Sequence, residues 1–132
     1  MTRFNNPNEL NINVLCFYNK SLFFAIKFFI MLNYQISEKL PMLRQILEKY
    51  GVAKAYIFGS ATGDNFTTQS DIDLLISLKS YDDPIEAGEQ FWGIYYDTKE
   101  LFKREVDILS ERNLKNPFFI EELNNSRIQI YG

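Results

Sequence analysis

At 132 residues the chain has the length of one domain, and its 46% hydrophobic and 16% aromatic content supplies a core and excludes general disorder. A formal net charge of -3 and a pI of 5.0 exclude a protein that grips nucleic acid through its overall field, so neither direct nucleic-acid binding nor template-directed polymerisation is expected. Histidine is absent and Cys16 is the only cysteine, which removes disulfides, thiolate or imidazole metal cages and the usual general base; the chain reads as intracellular (cytoplasmic), with chemistry resting on carboxylates, hydroxyls and metal.

Residues 1–35 are set apart from the rest as an extension. Their start is rich in Asn, and L-F-F-A-I-K-F-F-I-M-L at 22–32 is a dense apolar run. A membrane span needs about 20 predominantly apolar residues; this run is shorter and carries Lys27, and no small-residue cleavage pattern follows Leu32. Two readings stand: Met31 is the true start and the preceding segment is dispensable, or the run is an ordinary amphipathic or buried helix.

The domain itself is expected over 36–132. Ser37 is placed as the cap of a helix carrying Leu40, Leu43, Leu47 and Tyr50 at three- and four-residue spacing, with Pro41 in its first turn and Gly51 at its end. A strand at 54–58 leads into Gly59-Ser60, small residues whose backbone N–H groups can approach an anion and open a short helix. After a loop at 63–70 comes a strand at 72–78. Asp83-Pro84-Ile85-Glu86 then starts a helix running to Arg104, with Ile85, Trp92, Tyr95 and Phe102 as its core stripe, weakened by Gly88 and Gly93. A strand at 105–109 and a helix from Asn116-Pro117 through Leu123 follow, and R-I-Q-I-Y is open to adding a terminal strand. The expected order is α-β-α-β-α-β-α, an α/β (α+β) domain with one small sheet flanked by helices. Lys115 and Arg127 read as solvated charges.

Asp71 and Asp73 carry the chemistry. Residues i and i+2 of an extended chain share a face, so these two acids point the same way and repel unless a cation lies between them. An oxygen-loving divalent ion such as Mg²⁺ suits them, and Mg²⁺ usually brings substrate phosphates.

Gly59-Ser60, ten residues and then Asp71-Ile-Asp73 together resemble the signature of the DNA polymerase β-like nucleotidyltransferases, and among them the minimal nucleotidyltransferases; the resemblance runs from about residue 36 to the C-terminus. The family's third carboxylate lies on a later strand in a setting that R-E-V-D-I-L at 104–109 matches with Asp107. The resemblance implies that Asp71 and Asp73 hold two Mg²⁺ ions, that Asp107 holds one of them and can take the acceptor's proton, and that Gly59 and Ser60 receive the phosphates of ATP. It also implies a HEPN-type toxin as protein partner, with the chain as its antitoxin attaching AMP to a hydroxyl. Read residue by residue, Asp107 can be a plain edge-strand acid, Ser60 a helix cap, and the helix aromatics core. One departure stands out: A-T-G-D after Ser60 lacks the basic residue often found there, and no Lys or Arg occurs before Lys79. A partner-occluding antitoxin without catalysis and an antibiotic-type small-molecule nucleotidyltransferase are the competing expectations.

Overall fold

The computed structural model describes residues 32–63 and 65–132. The readings placed on residues 1–31 lie outside the described residues. Two helices, α1 (Tyr34–Ser37) and α2 (Leu40–Lys49), precede β1 (Val52–Phe58), a 3₁₀ turn (Gly59–Thr62), β2 (Ile72–Leu78), α3 (Pro84–Phe102), β3 (Val106–Ser110), a 3₁₀ turn (Glu111–Asn113), α4 (Pro117–Ser126) and β4 (Ile128–Tyr131). The four strands form one mixed sheet in the order β3-β2-β1-β4, antiparallel except for the parallel pair β2–β3 that the α3 crossover joins.

The α/β class and the small mixed sheet are as the sequence indicates. The first helix differs, because it breaks at residues 38 and 39. Asn33, whose carboxamide accepts from the Gln35 N–H at 2.9 Å, caps α1. Ser37 ends α1 by donating its hydroxyl to the Tyr34 carbonyl at 2.9 Å, and α2 starts at Lys39 with no side-chain cap. Just before it Leu32 is buried in the core, and the Asn33 N–H reaches the Ala61 carbonyl at 3.3 Å.

The long helix differs in its register toward the core. Asp83 caps it as expected, accepting from the N–H groups of Ile85 and Glu86. Its buried stripe, however, is Ala87, Ile94, Thr98 and Phe102, whereas Ile85 is 75% and Trp92 62% exposed. Only Phe102 survives fully from the expected stripe; Tyr95 is half-buried. The cause is a close helix crossing, in which a side chain at Gly93 would drive into the Tyr50 ring of α2. Tyr50 also donates to the Asp97 carboxylate at 2.8 Å, and Lys49 pairs with the same oxygen at 3.2 Å. Helix α3 stops at Phe102, two residues short of Arg104, because Lys103 turns into the left-handed region at φ 53° with its N–H on the Lys99 carbonyl.

Alternation along β1 and β2 separates two faces. Val52, Ala55, Ile57, Ile72, Leu74 and Ile76 are fully buried beneath α2 and α3. Asp71, Asp73 and Leu75 point to the other face, where Leu75 is buried apart from this core. Arg127, read from the sequence as a solvated charge, lies 4.2 Å over the Tyr56 ring and 3.7 Å from the Glu111 carboxylate.

Candidate active site

Three strand ends converge on the expected residues. In the parallel ladder Asp73 and Asp107 are direct partners, and in the antiparallel ladder Phe58 is the partner of Asp73. Hence Gly59, one residue past Phe58, lies against the Asp73 side chain. Its φ of 73° falls in the left-handed region, and a Cβ there would collide with the Asp73 carboxylate oxygen. Glycine is required at 59 on both counts. The ladder carrying the acids opens with the Ile72 N–H on the Glu105 carbonyl at 3.0 Å.

Asp73 is half-buried, while Asp71 and Asp107 are exposed. Burial first, then the charges of Asp107 and Asp71 and a hydrogen bond with Asp107, push the Asp73 carboxyl up to about 6. The Asp73 carboxyl thus faces Asp107 on the adjacent strand, and among the described residues no cationic side chain compensates it. Hard oxygen donors under mutual repulsion fit a divalent cation such as Mg²⁺. Among the described residues no three acidic side chains already stand as a closed metal cage, so the fit rests on the donor set and its repulsion. Asp71, Asp73 and Asp107 are the residues that would hold the ion.

Ser60 is the second residue of the 3₁₀ turn, inside it and not at its cap; the cap is Phe58, without a side-chain bond. The turn is tightened by the Thr62 hydroxyl on the Gly59 carbonyl at 2.8 Å and by the Gly63 N–H on the Ser60 carbonyl at 3.3 Å. Beside Asp71 opens a polar cavity of about 470 Å³ that also meets Ser70, Lys99, Lys103 and Arg104. Lys99 is paired with Glu105 at 2.7 Å and Lys103 with Glu100. Sequence reasoning passed over Arg104, placing it at a helix end. Its guanidinium donates to the Thr67, Ser70 and Gln35 oxygens, partners no periodicity could reveal.

The sequence profile of the nucleotidyltransferase domain matches residues 40–130. The chain therefore belongs to the nucleotidyltransferase domain family, and the resemblance drawn from its sequence holds. Solved structures share the fold. One described as a minimal nucleotidyltransferase is 22% identical over 70% of this chain and 90% of its own, with a TM-score of 0.56. A toxin–antitoxin complex with AMP-PNP is 18% identical over 70% of this chain and 73% of its own, at TM-score 0.57. A complex of tri-AMPylated HEPN toxin with MNT antitoxin from Shewanella oneidensis is 17% identical over 73% of this chain and 71% of its own, at TM-score 0.52. No curated protein matches the chain.

Proposed function

We propose that this nucleotidyltransferase moves AMP from ATP to a hydroxyl on a HEPN-type toxin protein, acting as that toxin's antitoxin. The observation that carries the reading is the ladder register that sets Asp73 beside Asp107, with Asp71 one side-chain period away and Gly59 closed against Asp73. The partner and the nucleotide are taken from structures of the same fold, a toxin–antitoxin complex with AMP-PNP and an AMPylated HEPN toxin bound to its antitoxin.

In the reaction the acceptor hydroxyl oxygen bonds to the α-phosphorus and the bond from that phosphorus to the β-bridging oxygen breaks. Pyrophosphate leaves, and the hydroxyl proton passes to a carboxylate, the role the family resemblance gives to Asp107, which is exposed as Asp71 is. Two Mg²⁺ ions, when bound, supply the charge stabilisation of entering and leaving oxygens. Asp71 and Asp73 would hold them through their shared face, and Gly59, lacking a Cβ, would not block phosphates from approaching the turn at Ser60. Labelled ATP, Mg²⁺ and a HEPN-type toxin should yield a labelled toxin, and Asp71→Ala/Asp73→Ala should abolish the label. Equal labelling by parent and double variant, or none by either, would sink the proposal.

A second reading, neutralisation by occlusion, is favoured by one observation. The chain has no Lys or Arg between Ser60 and Asp71, and the lysines lining the cavity beside Asp71 are already paired with Glu100 and Glu105. Among the described residues lining that cavity, only the Arg104 guanidinium is not paired with a carboxylate, and it is committed to the Thr67, Ser70 and Gln35 oxygens. Neutralisation that persists in Asp71→Ala/Asp73→Ala would select this reading.

A further inference from the structure

We infer that Arg104 is a positioning residue that holds the two carboxylate strands in register; this rests on the proposed metal-dependent site. Its Nη1 donates to the Thr67 carbonyl at 2.6 Å and to the Ser70 carbonyl at 3.2 Å, and its Nη2 to the Gln35 side-chain carbonyl at 2.7 Å. The guanidinium lies 4.4 Å over the Phe66 ring. Thr67 and Ser70 are themselves closed into one turn, by the Ser70 N–H on the Thr67 carbonyl at 3.2 Å and the Thr67 N–H on the Ser70 hydroxyl at 2.9 Å. Ser70 is the residue before Asp71, and Arg104 stands three before Asp107. A single side chain therefore ties the segment entering β2 to the segment entering β3, one residue from the Glu105 carbonyl that accepts from Ile72.

Such a tie has a physical purpose at this place. Asp71, Asp73 and Asp107 repel one another, and the polar loop at 65–70 has few apolar groups besides Phe66 to hold it down. Without restraint the entrance of β2 would relax away from β3 and widen the carboxylate spacing that a divalent ion needs. Only a planar fork of several donors reaches three carbonyl oxygens while stacking on a ring, so lysine is no substitute.

The test is Mn²⁺ binding by calorimetry, with transfer kinetics beside it, on parent, Arg104→Gln and Arg104→Lys, after far-UV circular dichroism has established folding. Arg104→Gln should bind Mn²⁺ more weakly by about 10-fold or more, the range set by losing a group that orients metal ligands. Its kcat should fall in step while the nucleotide KM stays unchanged. Arg104→Lys should recover little of either. Should Arg104→Gln not fold, Gln35→Ala and Phe66→Leu, which loosen the guanidinium without removing it, should weaken Mn²⁺ in the same direction. Parent-like Mn²⁺ affinity in Arg104→Gln, or in both substitute variants, overturns the inference and leaves the site reading intact. A parent that binds no Mn²⁺ overturns both.

Discussion

Asp73 titrates against its neighbours, and the sign of its effect on stability follows. Its folded-state pKa of about 6 lies above the ordinary carboxylate value of 3.8, so between those values the folded chain binds more protons than the unfolded one. Stability therefore falls as pH rises from about 4 to about 6. In chelator, thermal denaturation across this window should show the parent's midpoint falling relative to that of Asp73→Asn, the difference isolating Asp73 from the lowered Asp97 and Glu105. At pH 7 the variant should be the more stable protein, yet with transfer reduced by about 10²-fold or more if the proposed metal-holding role of Asp73 is right. At Gly59 the same oxygen sets a steric limit. Gly59→Ala should cost about 1 to 2 kcal/mol for its left-handed backbone and more for displacing Asp73, read by chemical denaturation and by loss of transfer. The Asp71–Asp73 pairing and the Gly59-Ser60 turn are legible in sequence because both obey local rules, alternation and small size. What could not be read is Arg104, whose partners lie 34, 37 and 69 residues away.

At the scale of elements, the two glycines within α3 are opposite cases. Gly88 has no atom within 4 Å of a built Cβ, so Gly88→Ala should stabilise by about 0.4 to 1 kcal/mol through a less flexible unfolded chain. Gly93 faces the Tyr50 ring, so Gly93→Ala should destabilise by about 1 to 3 kcal/mol despite the better helix former, as overpacking does. Urea midpoints of the pair, moving in opposite directions, check both. Strand and helix positions followed from sequence signals: Asp83 and Asn116 as caps, Pro84 and Pro117 in first turns, and apolar runs at β1 and β2. Which face of α3 turns inward did not, because an apolar stripe through Ile85, Trp92 and Tyr95 competes with one through Ala87, Ile94 and Thr98. The closeness of the α2 crossing, permitted by Gly93, decides between them.

For the whole molecule, the choice of face at α3 leaves an aromatic surface beside the edge strand β3. Trp92 stacks on Tyr96 at 5.7 Å and meets Tyr95 edge-on at 5.9 Å, and both Trp92 and Tyr96 are exposed. Trp92 is the chain's single tryptophan, so the fluorescence of the isolated protein should show the red-shifted, readily quenched emission of a hydrated indole. Blue-shifted, quencher-resistant emission would contradict that exposure. No helix among the described residues is long and apolar enough to cross a membrane. By itself the sequence determined the α/β class, the strands that carry the acids, and the glycine-serine turn, since each is written in backbone preference and period within a few residues. Tertiary structure alone decided that Asp107 comes abreast of Asp73, that Arg104 clasps the loop before Asp71, and that Trp92 faces outward, because these depend on register and packing between segments that only folding brings together.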